Sequence, residues 1–244
     1  MPLTFAICLF FVAALAEILR RGGVDLPPLA LAALVNGAMA AAGLVLLGRD
    51  AISLIRAPGP RLYGATGLGW SWRRTVRLLP LIPIMFIVPV ACGLIFTDLL
   101  LVVPGGKALA SALLVQIVLY AFAQELFFRE AALKVFAPNR AVAVAVSAVA
   151  VTLFYLPQGL PAAMIAGGGA LACMALRIAG MNLLVVAAVH GAALVLFGRV
   201  LVAELSGDAL WYYAATSAAG HALFAAGVLA LLLPRAPRRA AEPG

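Results

Sequence analysis

Apolar residues run through this chain in stretches close to twenty residues long, each bounded by charges, glycine or proline. Such stretches fall at about 3–19, 26–47, 78–103, 108–136, 141–157, 161–179, 183–203 and 210–233. About 20 consecutive apolar residues suffice for a helix to cross a bilayer. The pattern therefore predicts an all-α, polytopic membrane helical bundle of about eight transmembrane helices. No internal repeat, low-complexity segment or soluble domain interrupts it, so residues 1–244 read as a single membrane domain.

Composition agrees: 66% of the 244 residues are apolar and 11% are charged, too hydrophobic a balance for a water-soluble globule. The net charge of +8 would suggest nucleic acid in another chain. Here the basic residues fall between spans, so the expected partner is the lipid bilayer and not nucleic acid. If the long 48–77 loop is cytoplasmic, that side collects Arg49, Arg56, Arg61, Arg73, Arg74, Arg77, Arg129, Lys134, Arg140, Arg177, Arg235, Arg238 and Arg239, against Arg20, Arg21, Lys107 and Arg199 opposite. Thirteen against four predicts both termini inside by the positive-inside rule. The expected setting is a bacterial plasma membrane. Trp70 and Trp72 beside Arg73 and Arg74 predict a surface-lying segment in the basic 48–77 loop. No cleavable signal peptide is expected, because the first span runs into Glu17 and Arg20 without a basic leader before it.

Cys8, Cys92 and Cys173 lie in separate spans without zinc-like spacing and read as small apolar fillers. There is no His-Glu-x-x-His and no phosphate-binding glycine loop. No metal or other cofactor is expected. Gly167, Gly168 and Gly169 lie within a span and predict close helix contact.

Ionisable groups inside a span are the candidates for chemistry, since one charge at the bilayer centre costs about 2.5–3.5 kcal/mol on insertion scales. They concentrate at Gln124-Glu125-Leu126-Phe127-Phe128-Arg129-Glu130. Glu125 and Arg129, four apart on a helix, can form an ion pair. Gln124 points about 100° away, and Glu130 is expected to reach water. Gln124 and Gln158 lie about 25 Å from the turn at 138–140 by helical rise, hence at similar depth. His190, in the seventh span, is either a site residue or a histidine bonded into a helix interface. His221, among small residues, reads as helix packing. Asp98 is expected at the membrane interface, and Glu17 to pair with Arg20 or Arg21.

Gln124-Glu125-x-x-x-Arg129, Phe154-x-x-x-Gln158 and His190-x-x-x-Leu194 together resemble the CPBP family, the CAAX-protease and bacteriocin-processing intramembrane proteases. That family's pattern is Glu-Glu-x-x-x-Arg, Phe-x-x-x-His and His-x-x-x-Asn on eight helices. The resemblance covers about 110–198. It implies a cavity among the fourth to seventh spans in which a Glu and a His activate water while a second His and an Asn stabilise the oxyanion. Members are often described as metalloproteases, and a metal-free glutamate mechanism has also been argued. Glu125, Arg129, Phe154 and His190 match; Gln124, Gln158 and Leu194 replace an acid, a histidine and an asparagine. A glutamine cannot accept a proton from water at neutral pH.

Three functions follow as expectations. The first is a catalytically impaired member that binds a membrane-anchored peptide, a lipidated peptide or a partner helix. The second is an active, divergent endopeptidase using Glu125 and His190. The third is a structural or transporter-like membrane protein. The sequence leaves the oligomeric state open.

Overall fold

The structure is a computed structural model, and it describes residues 1–22, 27–51, 71–137, 139–203 and 206–232. Among them, eight helices are long and apolar enough to cross a membrane. They are α1 (Pro2–Arg21), α2 (Pro28–Leu47), α3 (Trp72–Phe96), α4 (Gly106–Val135), α5 (Arg140–Gln158), α6 (Leu160–Ile178), α7 (Leu183–Val200) and α8 (Gly207–Leu232). The all-α membrane bundle expected from the hydropathy pattern is the fold. Most of the 48–77 loop, with Trp70 and the proposed surface segment, lies outside the described residues, as does the basic tail after Leu232.

The third span starts earlier and ends sooner than hydropathy suggests. Trp72 begins a helical turn capped by Ser71, whose hydroxyl accepts from the Arg74 amide at 3.1 Å. The helix stops at Phe96, and the apolar residues that follow form β1 (Leu99–Leu101), paired antiparallel with β2 (Leu201–Ala203) after α7. Leucine-rich strand and leucine-rich helix look alike in a hydropathy window, which is why the span appeared to reach 103.

Three helices begin at one face with side-chain caps: Ser71 on α3, Asn139 on α5 and Asn182 on α7. Asn182 also ties two of these ends together, because its amide donates to Thr75 Oγ1 at 3.0 Å.

Lipid tails are as apolar as leucine, so these helices are held by close packing, not by removal from water. Small residues set the contacts. A Cβ on Gly168 of α6 would stand 2.7 Å from the Ala218 Cα of α8, and one on Gly191 of α7 would stand 2.8 Å from the Ile117 Cα of α4. Behind α4, Phe127 stacks on Phe5 of α1 at 5.2 Å and Phe128 meets Phe154 of α5 at 5.7 Å. Phe154, the matching motif phenylalanine, is thus a packing residue in an aromatic stack.

α4 is not a regular α-helix. Val115–Ala121 and Glu125–Ala131 are π-helical segments, with Phe122–Gln124 between them. Wide turns of this kind are rare and concentrate at functional sites.

Candidate functional site

Six helices, α3 to α8, enclose a cavity of about 380 Å³. Gln124 and Arg129 of α4, Gln158 of α5, His190 and Leu194 of α7 and His221 of α8 all line it. Met85 and Pro89 of α3 also line it. Pro89 has no N–H for the Met85 carbonyl one turn earlier, so α3 is weakened at the wall.

Glu125 is fully buried, and among the described residues no Asp or Glu lines the cavity. One oxygen, Oε1, meets His190 Nδ1 at 2.7 Å. The other, Oε2, lies 3.2 Å from Arg129 Nε, an ion pair without hydrogen-bond alignment. The close crossing of α7 over α4 at Gly191 brings the neighbouring His190 to this carboxylate. With Nδ1 held, Nε2 is the ring nitrogen left to meet a guest. A carboxylate that fixes one nitrogen of an imidazole sets its orientation and tautomer.

Gln124 points elsewhere. Its amide exchanges hydrogen bonds with the Tyr155 hydroxyl of α5, Nε2 donating at 3.0 Å and Oε1 accepting at 3.2 Å. Tyr155 therefore sits at the depth of Gln124, and Gln158, three residues further on, is exposed at the rim. This corrects the equal-depth expectation for the two glutamines. Leu156–Gln158 tightens to a 3₁₀ turn, and Gly159 follows at φ +106°, so a rise counted from the 138–140 turn misplaces the end of α5.

Glu130 is also corrected. Instead of reaching water it is fully buried, and both its oxygens engage Arg177 of α6, one of them through Nη2 at 3.2 Å. Arg177 in turn donates to the Met181 carbonyl at 3.3 Å, which secures the α6–α7 turn. Arg129 and Arg177 are thus buried partners of acids, and removing them from the basic face leaves its excess intact. Asp98 is exposed, and Glu17 pairs with Arg21.

Tyr155 and Arg177 were missed in the sequence. A tyrosine in an apolar run and an arginine at a span end carry no distinguishing signal. His221 belongs to the cavity as well as to a tight helix crossing, since its neighbour Gly220 abuts Val88 of α3. Gly167 and Gly168 make the close contacts expected of them, with Thr152 and Ala218, whereas Gly169 opens on the cavity. Cys173 lines the cavity too and packs in the apolar cluster with Ala172, Leu176 and Met181.

The donor set does not fit a metal centre. Among the described residues no three His, Cys, Asp or Glu side chains come together. The one nearby carboxylate is committed to His190 and Arg129.

No curated protein and no solved structure matches the chain. Residues 106–196 match the model of the Rce1-like family, described as type II CAAX prenyl endopeptidase Rce1-like. That segment holds α4 to most of α7, with the Gln124-Glu125-x-x-x-Arg129 run, Gln158 and His190 around one cavity. This match over residues 106–196 supports assignment to the CPBP family of CAAX-protease-like membrane proteins.

Proposed function

We propose that this membrane protein holds an apolar or lipidated peptide segment in its cavity and does not cleave it by the family's carboxylate chemistry. The observation that carries this reading is that no carboxylate among the described residues faces the cavity. Peptide hydrolysis needs an acceptor for the proton of water, and losing a general base lowers the rate by a factor of about 10² to 10⁴. The family's acid position is Gln124, bonded to Tyr155, while Glu125 stands behind His190 with both oxygens engaged. The oxyanion positions hold Gln158 at the rim and Leu194. The cavity's walls are mostly apolar, as suits a chain segment drawn from the bilayer. The basic face is set toward the cytoplasm of a bacterial cell, with both termini on that side.

The 2.7 Å contact between Glu125 and His190 favours one second reading. An imidazole oriented by a carboxylate can itself take a proton, so His190 would be the base of a slow hydrolase and Glu125 its positioning group.

Reconstituted protein, incubated with photo-crosslinkable prenylated and membrane-anchored peptides, separates the two. The expected result is crosslinking to cavity residues with no product peptide. Cleavage that disappears in His190→Gln or Glu125→Gln, at matched yield of folded protein, would overturn the binding reading.

A further inference from the structure

Ser217 and His221 take no part in the chemistry above. They lie one turn apart on α8, Ser217 fully buried and His221 7% exposed, and both line the cavity. Neither Ser217 Oγ nor His221 Nδ1 has a hydrogen-bond partner among the described residues. The Tyr213 side chain comes near Ser217, and the Ser217 backbone comes near His221, but neither approach completes a bond to these atoms. Arg129, on α4, presents the same feature: it is 1% exposed, it lines the cavity, and its Nη1 is unpartnered. An unsatisfied buried polar group costs about 1–3 kcal/mol, and more if charged. Three in one cavity define a seat for a polar group that is not part of this fold.

The three lie at compatible depths. Ala218 of α8 meets Gly168 of α6, and the two helices cross the membrane in the same sense. His221 is therefore level with the residues just before Cys173, and Cys173 interacts with Arg129.

The chemistry of the seat is that of donors. Arg129 can only donate, and Ser217 and His221 can each donate. No acid among the described residues lines the cavity, and Glu125 meets Arg129 at Nε, away from Nη1. A planar monoanion with several lone pairs matches such a set, since charge-assisted bonds from a guanidinium to a carboxylate are among the stronger ones. A dianion would fit less well, because each further negative charge in a low-dielectric site is costly and Arg129 is the one guanidinium among the described lining residues. Met85, Phe86, Ile165 and Phe197 supply an apolar wall beside it.

We propose that the cavity seats a carboxylate-headed apolar chain, its carboxylate between Arg129 and His221 with Ser217 completing the donor set. Ser217 and His221 lie outside residues 106–196 and Arg129 lies within them, so the seat joins α8 to the segment matched to the family. The inference rests on the binding reading and names the chemistry of the guest. A long-chain fatty acid and the free C-terminus of an apolar peptide present the same group.

The test measures equilibrium binding to the full chain in nanodiscs. One arm compares palmitic acid with hexadecanol; the other compares an apolar peptide with a free and an amidated C-terminus. In at least one arm the acid is expected to bind about tenfold or more tighter than its neutral counterpart, and that arm names the source. His221→Leu and Ser217→Ala should each shrink this preference by about threefold or more, read as the ratio of acid to neutral-chain affinity within the same variant. His221→Gln serves if His221→Leu fails to fold. Equal binding of acid and neutral chains in both arms, or a preference unchanged by these variants, overturns the seat. Gly169→Leu separates this failure from failure of the binding reading, because a Cβ there meets nothing within 4 Å and the side chain would fill the cavity. If Gly169→Leu blocks acid and neutral chains that bind alike, only the seat is wrong. If no chain binds at all, the binding reading falls with it.

Discussion

Glu130 and Arg177 neutralise one another in the protein interior, both with almost no exposed surface. Removing one partner of such a pair strands the other, at about 3–5 kcal/mol, whereas replacing both by apolar residues of similar volume is often neutral. Glu130→Ala should therefore lower the melting temperature strongly in detergent, and the double variant Glu130→Leu with Arg177→Met should recover most of the loss. A double variant no better than either single would place the value of Arg177 in its bond to Met181 instead. The residue scale is also where the sequence was most and least informative. The four-residue spacing of Glu125 and Arg129 was legible because it needs only a helix, and His190 stood out as an ionisable group in an apolar run. The partners of Gln124 and Glu130 were not legible. Both lie 31 or more positions away, and their choice depends on a turn in α4 whose angular step differs from that of a regular helix.

At the scale of elements, glycine placement decides which helices touch and which leave room. Gly168 and Gly169 are adjacent in α6, yet one is pressed against the Ala218 backbone and the other is open. Overpacking a close contact costs about 1–3 kcal/mol, so Gly168→Ala should destabilise the protein by that order. Gly169→Ala should be neutral or slightly stabilising, as alanine is the better helix former by about 1 kcal/mol. Thermal unfolding of the two variants side by side reads this out. Gly191→Ala extends the argument to the site: a Cβ there meets the α4 backbone, so α7 must shift and carry His190 away from Glu125. Spans and their order could be read from hydropathy because each is long and bounded by charge or a breaker. The π-helical segments of α4 could not, since a helix that widens by one residue per turn keeps the same composition.

For the molecule as a whole, the basic face predicts orientation. Asn139, at the start of α5, and Gly105, just before α4, are exposed at opposite ends of α4. In a chain whose native cysteines are replaced, a cysteine at position 105 should react with an impermeant maleimide in intact cells. One at 139 should react only after permeabilisation, and the reverse pattern would invert the topology. The helical count and the cavity both agree with a CPBP scaffold, but the chemistry of that cavity depends on a few side chains that the scaffold does not dictate.

The β1–β2 ribbon bears on how a guest arrives. It stitches the C-terminal ends of α3 and α7 together, and these two helices contribute Pro89, Phe197 and Gly198 to one flank of the cavity. Spreading that flank means breaking the strand pairing, including the Val102 amide to Val200 carbonyl bond at 2.8 Å. The flank at Gln158 has no comparable seam among the described residues, only a three-residue turn before Gly159. On the proposed binding reading, a chain sliding in from the surrounding lipid would meet a sewn edge on one side and a loose hem on the other, which makes the loose hem the expected doorway.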